Sequence, residues 1–218
     1  MIRCFKAWVL VGLVLLATGC ATQKPNVDYT AFRQHPPKSI LVLPPLNNTT
    51  DVRATYSLMS TVTWPLAESG YYVFPVALVD QTFKENGLPN PAEMHQASPQ
   101  KMYEIFGADA VLYITVNKYG AGSALLGSAE VVTVDGQLVD TQSGVKLWQG
   151  SASASDAEGQ QNNNGLIGLL VQGIIKQVAN SVSDPGQRIG GIANARLLSA
   201  HPGGLLYGPR SPKFEVQP

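Results

Sequence analysis

Apolar positions along the chain come in blocks, and the length and spacing of each block predict its element. Ala7 to Ala17 is an unbroken run of eleven residues without a polar side chain, preceded by Arg3 and Lys6. A bilayer span takes about 20 apolar residues, so this run is too short to cross and has the length of a signal-peptide core. From Ala21 to Lys38 the chain is polar, holds Pro25, Pro36 and Pro37, and shows no apolar period, which reads as a flexible tether. Ser39-Ile40-Leu41-Val42-Leu43, closed by Pro44-Pro45, has almost no polar face. Such a run predicts a strand covered on both sides.

Further on, helical and strand periods alternate. Asn47 to Asp51 is a loop with capping chemistry, leading into a helix over Ala54 to Glu68 that Pro65 kinks or restarts. Tyr71 to Val76 reads as a strand, and Leu78 to Asn86 as a helix stopped by Gly87. Ser98-Pro99 has the order of a cap and first helical residue, for a helix ending at Phe106 before Gly107. Ala110 to Val116 predicts a strand. Ala129 to Val139 and Val145 to Ala154 alternate apolar and polar residues around Thr141-Gln142-Ser143-Gly144, the pattern of a hairpin with one face on the core. Leu166 to Val182 is the most apolar segment after the leader and has helical spacing. The last eighteen residues hold four Pro and three Gly and read as a loose tail.

This order predicts an α/β fold, a single mixed β-sheet flanked by helices. The implied organisation is a signal peptide over 1–19, a tether over 20–38, a globular domain over 39–200 and a tail over 201–218. Composition adds exclusions. Apolar residues make up 44% and charged residues 14%, enough to bury a core. Fifteen basic against fifteen acidic residues leave no basic excess for nucleic acid. Two cysteines, Cys4 and Cys20, are too few for a disulfide framework or a Cys-based zinc site.

Catalytic signals are sparse. His35 and His201 lie in Pro-rich flanks and His95 in the loop from Pro89 to Ser98, all expected in solvent. No nucleophile elbow, zinc-helix motif or phosphate loop is present, since Gly165, Gly168 and Gly173 are followed by no Lys-Ser/Thr. Asp80 and Glu85 fall on one short helix with nothing to bring them into a cleft. The sequence predicts a non-enzymatic protein without cofactor or metal.

Leu16-Ala17-Thr18-Gly19-Cys20 resembles a bacterial lipobox, with Ala17 where Leu is commonest. The resemblance implies cleavage before Cys20 and acylation of that cysteine, anchoring the chain in a membrane through more than one acyl chain. Ala21, rather than Asp, follows it and favours sorting to the outer membrane. Three further stretches, Ile40 to Thr49, Gly107-Ala108-Asp109-Ala110-Val111-Leu112-Tyr113 and Leu138 to Trp148, resemble the CsgG-like curli-secretion lipoproteins and the TolB amino-terminal domain. Trp64 to Pro75 resembles a family of bacterial lipoproteins of unassigned function with that fold, a family that looks dimeric. The resemblance implies a periplasmic accessory or assembly component of an envelope secretion, transport or maintenance system. Its partners would be further copies or other envelope lipoproteins.

A channel subunit is the alternative, with an envelope hydrolase behind it. A membrane hairpin needs two strands of about 9–11 residues with a lipid-facing side. Tyr119 to Ser128 is too short for one, and Ser151 to Gly165 has no apolar face. Self-association points instead to Leu166–Val182, whose apolar residues surround more than half of the expected helix, wider than an ordinary buried stripe. Gly168, Leu170, Gly173 and Ile174 are the candidate contact residues. Burial beneath Ile189 to Leu198 is the competing account of the same apolar surplus.

Overall fold

The computed structural model describes residues 28–121, 129–157, 184–201 and 204–217. Six strands, β1 (Ser39–Val42), β2 (Leu46–Asn47), β3 (Tyr72–Val73), β4 (Ala110–Ala121), β5 (Glu130–Asp140) and β6 (Lys146–Ser155), form one sheet. Its order is β3-β1-β4-β5-β6, with β2 continuing beside β4. β1 pairs in parallel with β3 and β4, whereas β4, β5 and β6 are antiparallel. The expected mixed sheet flanked by helices is present. Pro44 and Pro45 have no N–H to donate, so pairing with β4 lapses there and resumes in β2 at Leu46↔Thr115.

Seven α-helices are described: α1 (Thr30–Gln34), α2 (Ala54–Met59), α3 (Thr63–Glu68), α4 (Val76–Glu85), α5 (Pro91–Met94), α6 (Pro99–Phe106) and α7 (Pro185–Leu198). Local signals account for several ends. The Ser98 hydroxyl accepts from Lys101 N, and Gly107 closes α6 at φ +67°. The single helix expected over Ala54–Glu68 is two helices, and Pro65 falls in the first turn of α3, where a missing N–H breaks no bond. β3 is shorter than expected because Pro75 ends it and caps α4.

Alternation on the strands builds two cores. Ile40, Val42, Leu112, Ile114, Val134 and Leu138 face α2, α3 and α7. Leu41, Leu43, Val111 and Val139 face the opposite way, onto Val79 and Phe83 of α4, Met94 of α5 and Met102 of α6. The first face is covered along its length. Among the described residues, the second is covered only over β1 and the adjoining ends of β4 and β5, which leaves the antiparallel half of that face open.

Two further sequence expectations differ. The tether does not extend to Lys38: Tyr29 and Phe32 are buried, and α1 packs into the first core. Nor is the tail loose. Leu205 and Leu206 are buried, and the Tyr29 and Tyr71 hydroxyls donate to the Gly204 and Leu206 carbonyls at 2.5 Å each. Gly208 N donates to Ser69 O at 2.8 Å, and Arg210 N to Gly70 O at 3.2 Å. Proline and glycine rule out regular structure here. They do not stop an irregular strap from being held by hydroxyl–carbonyl bonds.

Candidate functional site

The Gly-Ala-Asp stretch is a structural clasp. Asp109 Oδ2 accepts from Lys38 N at 2.9 Å, from Ser39 N at 3.0 Å and from the Ser39 hydroxyl at 3.0 Å, while that hydroxyl accepts from Asp109 N at 3.0 Å. Thr141 N donates to Asp109 O at 3.0 Å, tying the hairpin turn to the same point. Every one of these groups is engaged in joining β1, β4 and β5, and none points at a ligand.

The open half of the second face is polar. Tyr113 and Thr115 of β4, Asp135 and Gln137 of β5, and Gln149 and Ser151 of β6 line a shallow hollow of about 480 Å³. A side-chain chain reaches it at Asp135: Asn48 Nδ2 donates to Asn117 Oδ1 at 3.1 Å, and Asn117 Nδ2 to Asp135 Oδ2 at 2.6 Å. Amides and hydroxyls dominate, so the face offers hydrogen bonds and no nucleophile–base pair. Among the described residues, no group of three or more His, Cys, Asp or Glu is placed to hold a metal ion.

β6 borders this face and, among the described residues, forms the edge of the sheet. Thr133 and Ser153 form a rung with their hydroxyls 3.1 Å apart, and Ser153 O accepts from Arg196 Nη1 at 2.5 Å on the side away from β5. Ser153 therefore turns its backbone N–H and C=O to the edge, and alternation turns those of Gln149, Ser151 and Ser155 the same way. Asp156 N, of the opposite parity, donates inward to Glu130 O at 3.2 Å. From Leu147 to Ser155 there is neither a charged residue nor a proline. Gln149, Ser151 and Ser153 are exposed.

The charged cluster at the far end of β4 is a surface one. Arg53, 63% exposed, bridges Asp51 at 2.6 Å and Asp184 at 2.8 Å, and Asp184 Oδ1 caps α7 by accepting from Gly186 N at 3.0 Å. Hydrogen bonds from Arg53 hold the Asp51 carboxyl below its ordinary range.

A family profile described as putative lipoprotein GNA1162-like matches residues 27–210. The chain belongs to that family. It is 46% identical over 207 residues to putative lipoprotein NMB1124/NMB1162 of Neisseria meningitidis serogroup B, covering 93% of this chain and 95% of that one. The crystal structure of lipoprotein GNA1162 from Neisseria meningitidis is 48% identical, with a TM-score of 0.54, over 66% of this chain and all of the other. The PelC dodecamer of Paraburkholderia phytofirmans is a remoter match at 14% identity and a TM-score of 0.43, over 74% and 86% of the two chains.

For a GNA1162-like chain the residues singled out from sequence fall in three places. Cys20, Gly168, Leu170, Gly173 and Ile174 lie outside the described residues, as does the rest of Leu166–Val182. Among the histidines, His35 is exposed, as expected. His95 is not in open solvent: Nε2 donates to Pro44 O at 2.9 Å, and the ring meets Tyr113 edge-on at 5.3 Å between centroids. Burial holds its pKa below the ordinary histidine value. His201 is half-buried, its backbone N donating to Leu205 O. Asp80 pairs with Lys84 at 2.7 Å and Glu85 accepts from Gln81 at 2.7 Å, each within its own helix. Sequence reasoning passed over the β6 edge, because its uncharged run becomes an edge only once the strand order is known. No helix among the described residues is long and apolar enough to cross a membrane.

Proposed function

We propose that this GNA1162-like chain is a non-enzymatic envelope lipoprotein, anchored through acylated Cys20 in the outer membrane with its domain in the periplasm. It serves there as an accessory or assembly component of a secretion, transport or maintenance system. One observation carries the reading: the domain is packed from Tyr29 onward, with Phe32 in the first core. Residues 21–28 are all that separate it from the anchor, a span of at most about 28 Å even fully extended. A domain so closely held works at the membrane surface, against other copies or other envelope lipoproteins.

Palmitate labelling tests the anchor. The parent chain should incorporate label and fractionate with outer membranes, and Cys20→Ser should do neither. Label entering the Cys20→Ser chain would defeat the assignment. Discrete conductance steps from the lipidated chain in planar bilayers would favour a channel subunit instead.

A further inference from the structure

We propose that the face carrying the carboxy-terminal strap docks on the phospholipid surface in which the chain is anchored. The outward side of this face gathers aromatic rings, a valine and two cations. Trp64 of α3 is 47% exposed and Val216, near the end of the strap, 81%. Trp64, Tyr207 and Lys213 line one hollow of about 240 Å³. Two bonds tie Gln217 to Tyr207, from Tyr207 N to Oε1 at 2.5 Å and from Nε2 to Tyr207 O at 3.2 Å, which folds Val216 back towards that hollow. Lys213 Nζ stands 5.5 Å from the centre of the Tyr207 ring. Arg210 over the exposed Tyr72 ring continues the patch to the β3 edge. Among the described residues, neither cation pairs with a carboxylate. Glu68 lines the same hollow and Glu215 lies in the strap, both exposed, so the face is amphipathic rather than strongly basic.

The tether's point of entry identifies the occupant. Tyr29, the first packed residue, donates its hydroxyl to Gly204 O at 2.5 Å, so the strap starts where the tether meets the domain. The inference rests on the proposed anchor, which holds Tyr29 within about 28 Å of the bilayer through residues 21–28. Trp and Tyr rings settle at headgroup level, with an apolar body and a polar tip. Lys and Arg lay their stems along apolar surface and keep the charged head at the phosphates. Single apolar side chains are ordinary on a surface, but a patch of them rimmed by polar groups marks a contact. The other end of the sheet differs. There Arg53 is neutralised by Asp51 and Asp184, about 20 Å further along β4 by the rise from Ala110 to Val116. Docking would fix how the domain stands on the membrane, a freedom that acyl chains on a short tether leave open.

The test reconstitutes the full-length chain in vesicles of phosphatidylethanolamine and phosphatidylglycerol with brominated acyl chains, which quench an indole on contact. Palmitate incorporation is followed in the same samples. Trp8 belongs to the leader and Trp148 is buried, so the difference between the parent and Trp64→Phe reports on Trp64 alone. Trp64 emission should shift to the blue and be quenched by bromine. Lys213→Glu, which leaves the backbone bonds of the strap in place, should weaken that quenching. Val52 is 86% exposed at the opposite end of the sheet, and Val52→Trp added to Trp64→Phe should give an indole that bromine does not reach. Trp64 quenching without palmitate would uphold the docking face and defeat the anchor. Palmitate without Trp64 quenching would overturn the docking face and leave the anchor standing, and the absence of both would overturn both. Equal quenching of the Val52→Trp indole, or undiminished quenching in Lys213→Glu, would also overturn the proposal. So would a Trp64 shielded from bromine and from aqueous iodide alike, the result a protein partner on this face would give.

Discussion

At one edge of the sheet, β3 is two residues long and is closed by the carboxy-terminal strap, with the Arg210 guanidinium 5.6 Å above the Tyr72 ring. At the other, β6 runs for ten residues, with Gln149, Ser151 and Ser153 exposed and the Ser153 carbonyl taken by Arg196. The same asymmetry runs through the layers, since among the described residues helices cover both faces beside β1 but one face beside β6. The guarded edge takes a cation, a strap and a left-handed glycine to close. Among the described residues, the β6 edge is bonded at one point only, where the Arg196 guanidinium donates to the Ser153 carbonyl. Among the described residues, the β3 edge is thus closed by several contacts and the β6 edge by one.

The strongest way to break this contrast is at the strap. Gly70 adopts φ +94°, and a Cβ there would stand 2.5 Å from Ser211 N and 2.9 Å from Gly208 O. Both obstacles are backbone and cannot rotate aside. Gly70→Ala should therefore destabilise the domain by about 3 kcal/mol or more, combining a left-handed side chain with a displaced strap. Urea unfolding should report the loss, and the 204–217 segment should become the first site of proteolysis. A change under about 1 kcal/mol would mean that the strap is not what secures the β3 edge.

Next in size is the core side of β6. Trp148, 4% exposed, lays its indole over Gly150, and Gly136 on β5 gives it further room, with Leu197 of α7 at 3.1 Å from a Cβ built there. A methyl at Gly150 would clash with Cζ2 of the indole, so Gly150→Ala should cost about 2 kcal/mol by overpacking. Gly136→Ala should cost less, because its nearest neighbour is the mobile end of a leucine. Equal losses for the two would show that the indole does not set the geometry of the open strand.

A smaller effect sharpens the contrast without unfolding anything. Arg210→Ala removes the cation over Tyr72 and should cost about 0.5–1 kcal/mol, the usual worth of an exposed cation–π contact. The measurable sign is a lower urea midpoint with an unchanged denaturant slope. A fall in slope as well would mean that the strap had already come away in the native state.

These same elements explain how much the sequence disclosed. β1, the β5–β6 hairpin and α6 were legible because each is specified by neighbours in the chain: an unbroken apolar run, an alternation around Gly144, a Ser-Pro start with a Gly stop. α7 was not. It carries Gly186, Gly190 and Gly191 in a helix, where glycine costs about 1 kcal/mol each relative to alanine. Distant residues account for that choice. The Tyr119 ring would lie 2.8 Å from a Cβ at Gly186, and Leu58 3.0 Å from one at Gly190, while Asn194 donates to Leu58 O and Thr61 Oγ1. The strap was illegible for the reverse reason: it has no period, and its anchors are tyrosine hydroxyls 135 and 175 residues away in the chain. For the candidate site, the missing guards were visible in Leu147–Ser155, but its position at the edge depends on strand order, which no local pattern records.

The smallest expected effect tests where the doubly covered half of the sheet ends. His95 stands at that boundary, beneath β1 and against Tyr113, whose own pKa burial raises. Its ring donates from Nε2 to the Pro44 carbonyl, which can only accept, and burial favours the neutral imidazole. A histidine with a lowered native pKa binds protons more readily when unfolded. Its contribution to stability is therefore whole above the unfolded value near 6.5 and shrinks as pH falls through that value towards the native one. His95→Gln keeps a donor for Pro44 O and removes the titration. Unfolding free energies of the two proteins, compared from pH 7.5 to 5, should converge as the pH drops. The carboxyls of Asp28 and Asp51, held below their ordinary value of 3.8, lose their contribution only at lower pH and stay out of this window. Curves that remain parallel down to pH 5 would show that water reaches His95 freely and that its packing against Tyr113 does not shield it.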